Sequence, residues 1–341
     1  MTPSNKIETV FNNPDAVLEK AKRARRGLLS KLPVGVGVQG SYRTGNVGDL
    51  AIAEAIKSEL SSRGHRVFLF DKNRQSCNMP IRMLGGGGVL HDWYGTRHLE
   101  RRLNFIKNGG SMLAVGAPGF RSNRSKDLIR EAMADVDVVT VRDERSREQI
   151  ERATGVSPRV TACPAFLHQD PEVPSTGRTG VNFRPWFMSD ENLDSEDLAF
   201  YFDYPENLDF DDARRKYVEN AREICNSVDD PVFIPFREKD ELFAREYLNV
   251  DVLDYELSVA RTLQRVSSVD RIVAMRYHSL VFAAICRTPA VALAYEPKVG
   301  HLADRLGIQS ARPHEQIDLS FSEPSNVDDL EKLAKENFKR F

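Results

Sequence analysis

Short apolar runs alternate with longer amphipathic stretches along most of this chain. Residues 34–39, 67–70 and 82–84 read as strands, as do 112–115, 136–141 and 160–162. Between them, residues 50–63, 97–108 and 146–154 carry helical spacing, and glycines close the first two of these helices. A linker is predicted at 169–177, which is polar and rich in proline. A second alternating series follows, with strands at 180–182, 232–235, 272–275 and 290–294. Its helices are predicted at 213–227, 258–267 and 280–286. Strand–helix alternation of this kind builds parallel sheets covered by helices. The expected fold is α/β, with two doubly wound, Rossmann-like domains facing across a cleft. The expected division is a basic helical segment (1–33), a first domain (34–168), a linker (169–179), a second domain (180–320) and a C-terminal helix (321–341).

Composition narrows the class. The chain has 341 residues, 41% of them hydrophobic, enough for two cores. Its 48 basic and 50 acidic residues leave a net charge of -2, which gives no support to a nucleic-acid-binding surface spread over the protein. Cys77, Cys163, Cys225 and Cys286 show no metal-ligand spacing and read as buried reduced thiols; no metal is expected. The first fifteen residues lack the apolar core of a signal peptide, and no segment reaches the roughly 18 uninterrupted apolar residues of a membrane span. A soluble, cytoplasmic protein is expected. Residues 14–31 hold Lys20, Lys22, Arg23, Arg25, Arg26 and Lys31. They read as a solvated helix face, with peripheral contact to an anionic membrane as the alternative. The acidic, aromatic stretch 190–212 reads as an insertion, a loop with a short helix.

The candidate chemistry concentrates in residues 271–298. Arg276 and His278 end one predicted strand, and Lys298 lies just past the next. Three potential cations beside a helix N-terminus suit a carboxylate or a phosphate. Arg237 offers a further cation after residues 232–235. Gly45-Asn46-Val47-Gly48-Asp49 joins a strand to a helix, where backbone amides can hold an anion and Asp49 is either a helix cap or a catalytic group. The segment matches neither the Walker pattern nor G-x-G-x-x-G, so a nicotinamide cofactor is not supported. The glycines at 85–88 are expected to stop their strand and to let backbone pass close to a ligand or another segment; His91 and Asp92 follow them. Arg142-Asp143 reads as a structural ion pair or helix cap.

In this order, GNVGDLAIAEAI, GGGGVLHD, GAPGF, VTVRDERS, the CPAF position and AMRYHSLVFAAICRTPAVALAYEPKV resemble the polysaccharide pyruvyl transferase family over roughly residues 34–310. The last block carries most of the likeness. One position departs: where members commonly have an aspartate before the proline, this chain has Cys163. The resemblance implies a fold similar to the glycosyltransferase B type, phosphoenolpyruvate as donor co-substrate without a further cofactor, and a saccharide or lipid-linked glycan as acceptor. It implies donor contacts from Arg276, Ser279, Arg237 and Lys298, and substrate loops at Gly45, Asn46 and Gly48 and at Gly86, Gly87 and Gly88. His278 is the expected proton donor to the methylene carbon. Asp49, and after it Asp92, is the expected acceptor of hydroxyl protons. Two alternatives stay open: a nucleotide-sugar glycosyltransferase of the same architecture, and a non-catalytic binding protein that retains the fold.

Overall fold

The computed structural model describes residues 35–71, 78–186 and 195–341. The basic segment at 14–31, Cys77 and the start of the acidic stretch lie outside the described residues. Two six-stranded parallel sheets organise the rest. The first contains β1 Gly35–Gly40, β2 Arg66–Asp71, β3 Ile81–Gly88, β4 Ser111–Gly116, β5 Val138–Val141 and β6 Arg159–Val160, ordered β2-β1-β3-β4-β5-β6. The second contains β7 Thr179–Asn182, β8 Pro231–Phe233, β9 Asp251–Val252, β10 Arg271–Ala274, β11 Ala290–Leu293 and β12 Ser310–Ala311, ordered β12-β11-β10-β7-β8-β9. Chain direction across the sheet reverses between β1 and β3, and again between β7 and β10. At such switch points the carboxyl ends of the strands open a crevice.

The helices follow the sequence pattern with two instructive differences. Helix α1 (Val47–Ser62) starts ahead of the expected boundary because Asn46 caps it, its side-chain oxygen accepting the Gly48 amide at 2.9 Å. Asp49 is therefore not the cap. Strand β3 does not stop at its glycines; Gly85, Gly87 and Gly88 pair with Leu113, Val115 and Gly116. Gly86, at φ 57°, lets α1 lie directly on the strand, since a Cβ there would stand 2.4 Å from Ile52 Cγ2. Helices α2 (Thr96–Ile106), α3 (Asn123–Met133) and α4 (Glu144–Thr154) complete the first unit. Sequence pattern missed α3, although Ser125, Leu128 and Ile129, with half-buried Ala132 and Met133, fall on one face at helical spacing.

In the second unit come α5 (Ser195–Phe202), α6 (Phe210–Ser227), α7 (Glu238–Tyr247), α8 (Val259–Ser267), α9 (Tyr277–Ile285) and α10 (Pro297–Arg305). Every residue of α9 is buried, and its sequence is apolar throughout from Leu280 to Ile285. It packs against α1 and against the 3-10 turn Pro164–Leu167 of the first unit. One apolar cluster accordingly runs from Val36, Ile52 and Ile56 into Val273, Leu280 and Phe282, joining the two units. The last helix, α11 (Val327–Glu336), returns to the first unit. Beyond its end, buried Asn337 accepts from Thr140 Oγ1 (2.6 Å) and Thr161 Oγ1 (2.7 Å) and donates to the Ala162 carbonyl (3.0 Å). Cys163 and Cys225 are buried and Cys286 half-buried, all as thiols. No described helix is long and apolar enough to cross a membrane.

Candidate active site

The loops after β1 and β3 meet those after β8 and β11, so the two sheets present their carboxyl ends to a common cleft. The β1 loop is tied across it. Val47 N donates to the Phe236 carbonyl (3.1 Å), Arg237 Nη2 to that of Thr44 (3.0 Å), and Tyr255 Oη to that of Gly45 (2.9 Å). Behind this seam lies a cavity of about 250 Å³.

Asp49, Gly86, Gly87, Gly88, Arg237 and Lys298, all expected site residues, line that cavity. Asp49 keeps some contact with the cavity but is ringed by protein; this desolvation raises its carboxyl pKa, although the Thr44 hydroxyl (2.8 Å) and nearby cations act in the other direction. Burial lowers the Arg237 pKa, and neighbouring Arg276 adds to the effect. Lys298 is ion-paired with buried Glu296; burial opposes its charge, but Glu296 carries the balance and its pKa is raised.

Sequence reasoning missed Arg102. On α2 it shares one face with Leu99, Leu103 and Ile106, the i, i+3, i+4, i+7 stripe that faces a core. An arginine on an apolar stripe is the signal that could have found it. Arg102 is 6% exposed, lines the cavity and donates to the Val89 carbonyl and to Ser41 Oγ (3.4 Å). Burial pulls its pKa down to about 10. Among the described residues, neither Arg102 nor Arg237 has a carboxylate within salt-bridge distance.

Other expected site residues take different places. Arg276 is turned to Asp240, with Nε 2.5 Å from Oδ2 and Nη2 on Oδ1. Asp240 is wholly buried and also accepts the amides of Phe236 (3.2 Å) and Arg237 (3.0 Å). The guanidinium expected to hold the donor is thus committed within the protein, and acts on the cavity through the turn that carries Arg237. Ser279 Oγ donates to the Arg276 carbonyl (2.7 Å), a bond within the first turn of α9. His278 does not line the cavity. Its ring stands over Gly48, where a Cβ would meet Nδ1 at 2.0 Å, and its Nε2 lies 3.6 Å from Cys163 Sγ. Burial, then Arg142, Lys298 and Arg276, lower its pKa well below the usual histidine value.

Asp92 accepts from Tyr201 Oη (2.6 Å) and from the amides of Arg121 (3.0 Å) and Ser122 (2.9 Å). Burial alone would raise its pKa; those three donors hold it low. Asp92 thereby fastens α5 of the second unit onto the first, and Arg121 adds ion pairs to Glu196 and Asp197. Asp143 caps α4 by accepting the Ser146 amide (2.8 Å) and takes Arg142 Nε at 3.2 Å. Arg142 itself lies 4.5 Å over the Tyr277 ring and lines a hollow of about 20 Å³ together with Glu296 and Lys298.

Two parallel α/β units with a cation-lined cavity at their facing strand ends define a two-domain cleft protein. The profile of the polysaccharide pyruvyl transferase family matches residues 46–297, and the chain belongs to that family; it is a transferase. No curated protein matches the chain. Among solved structures, it is similar to the UDP-GlcNAc 2-epimerase of Methanocaldococcus jannaschii, at 10% identity and a TM-score of 0.49, over 89% of this chain and 98% of that one. A functionally uncharacterised protein of Klebsiella pneumoniae is similar at 16% identity and a TM-score of 0.45, over 83% and 93% of the two chains. A lipopolysaccharide outer core galactosyltransferase follows at 11% identity and a TM-score of 0.39, over 89% and 90%. Likeness this distant assigns no activity.

Proposed function

We propose that this transferase moves the enolpyruvyl group of phosphoenolpyruvate onto two hydroxyls of a saccharide, free or lipid-linked, forming a pyruvate ketal and releasing phosphate. One observation carries the reading: Arg102 and Arg237, without carboxylate partners among the described residues, share a small cavity with Lys298 and Asp49. A three-carbon phosphate bearing a carboxylate matches two guanidinium forks and an ammonium. At about 250 Å³ the cavity falls just below the ~300–1,000 Å³ of pockets for drug-sized ligands. That size favours so compact a donor over a sugar nucleotide.

In this scheme a proton adds to the methylene carbon, making the adjacent carbon electrophilic. One sugar hydroxyl attacks that carbon, the C–O bond to phosphate breaks, and a second hydroxyl closes the ketal. Of the two hydroxyl protons released, one balances the proton placed on the methyl group and the other leaves with phosphate. Asp49 faces the cavity with a raised carboxyl pKa, which suits it to both deliver and accept a proton. His278 stands behind Gly48 and supports the first turn of α1; a bound dianion would raise its pKa and make it the second candidate donor.

Thermal-shift titration separates the donors. Phosphoenolpyruvate should raise the melting temperature of the wild-type protein, and Arg102→Met should need a roughly 10–100-fold higher concentration for the same shift. Stabilisation by UDP-sugars with no response to phosphoenolpyruvate would transfer the reading to a nucleotide-sugar glycosyltransferase.

A further inference from the structure

The mouth of the cavity carries a ladder of aromatic rings. Trp93 stacks on Tyr94 (centroids 5.6 Å, planes 18° apart) and, on its other side, on Tyr201 (5.9 Å, 19°). The Phe202 ring meets Trp93 edge-on at 4.7 Å and 82°. Tyr201 and Phe202 come from α5, which the Tyr201–Asp92 bond and the ion pairs of Arg121 fasten to the first unit. Tyr94 is the outermost ring. At 60% exposure it is the most exposed large apolar side chain among the described residues, and it lines the cavity with Trp93. The fold therefore holds a flat aromatic face, already ordered, against water at the entrance to a polar site.

A second feature points to the same place. His91 is 7% exposed, lines the cavity, and has Nδ1 buried with no hydrogen-bond partner. Burial, then Arg102, push its pKa down to about 3, so the ring is neutral. A neutral imidazole lining the cavity can accept or donate one hydrogen bond without bringing charge.

We propose that Tyr94, backed by Trp93 and Tyr201, is the acceptor platform, on which a pyranose ring lays its C–H face while a ring hydroxyl bonds His91. Sugar C–H groups carry partial positive charge and the face of an aromatic ring is negative, so stacking is attractive as well as hydrophobic. Tyr94 and His91 share the cavity with Asp49, which places the acceptor hydroxyls on the side of the group that takes their protons. The inference rests on the donor reading for the second substrate only; the platform binds a sugar whatever the donor.

The chain has two tryptophans, and Trp186 is 1% exposed, so ligand-dependent fluorescence reports mainly on Trp93. Methyl glucoside, galactoside and mannoside are titrated into the full-length protein with saturating phosphoenolpyruvate, and saturation-transfer NMR on the same samples supplies an independent readout. At least one pyranoside should quench Trp93 saturably. Truncating an anchoring aromatic typically costs more than about 1 kcal/mol, so Tyr94→Ala should weaken that sugar roughly tenfold. Tyr94→Phe, which keeps the face, should bind the sugar as wild type does. A pyranoside that binds wild type and Tyr94→Ala alike, or the binding of no pyranoside at all, overturns the platform. If phosphoenolpyruvate fails to bind while the sugar still depends on Tyr94, the platform stands and the donor reading falls.

Discussion

Two sets of charges at the cleft are treated in opposite ways. On the second unit, Arg276 is closed onto Asp240 and His278 sits under Gly48. On the first, Arg102 and Asp49 face the cavity, the arginine with its pKa lowered and the carboxyl with its pKa raised by burial. A buried charge with a partner inside the protein holds the structure together. One that faces a cavity is strained until something else arrives, and such strain is what binding sites retain. The Arg-x-His motif is thus the frame, and the working surface combines Arg102 and Asp49 of the first unit with Arg237 and Lys298 of the second. Asp240 links them, since it holds both Arg276 and the turn that aims Arg237.

The sharpest way to break this contrast is Asp49→Asn. Turnover should fall about 10²–10⁴-fold, the usual worth of a general acid or base. The same variant should melt higher than wild type at neutral pH. Because the folded state raises the Asp49 pKa, native protein holds the proton more tightly than unfolded protein does. Stability therefore declines as pH rises from the ordinary carboxyl value through the raised one, and Asn removes that decline. The gain should vanish at low pH in calorimetric scans. A larger rate loss for His278→Gln would return the proton to His278.

Next in size, Arg276→Ala should cost about 3–5 kcal/mol in urea unfolding, because it leaves Asp240 buried without its partner. Unchanged stability with lost phosphoenolpyruvate binding would make Arg276 a donor ligand after all. Arg102→Met is the mirror test. Urea unfolding should show equal or greater stability, while calorimetric titration should show phosphoenolpyruvate affinity down roughly 10–100-fold, the worth of a charge-assisted hydrogen bond at about 1.5–3 kcal/mol. The smallest effect belongs to the clasp. Tyr201→Phe should lose about 1 kcal/mol. Asp92 has a lowered pKa, so its contribution is present above the ordinary carboxyl range and is lost as pH falls through the lowered value. The difference between Tyr201→Phe and wild type should shrink on acidification.

Much of the fold was legible because strand and helix periods are local. Strands β7, β10 and β11, helix α9 and the cleft at their ends follow from apolar runs and the residues that interrupt them. Helix α3 was not legible, because Leu128, Ile129, Ala132 and Met133 make only a short apolar face among charged residues. In the site, Asp49, Arg237, Lys298 and Gly86 to Gly88 were found by their positions at strand ends. Arg102 lies on a charged helix, and only its place on the apolar face sets it apart. Asp92 was chosen for its chemistry, and what decided its role was the return of Tyr201 from 109 residues away.

Residues near each other in the chain were enough to establish two parallel α/β units, the family, and the end of each sheet at which chemistry belongs. Which charges work there depended on distant pairing. Asp240 reaches Arg276 across 36 residues, and α5 crosses from one unit to the other. Periodicity is a short-range property of the chain, but desolvation and charge neutralisation are set by whatever folds against a side chain, and only the assembled cleft shows which cations still lack a partner.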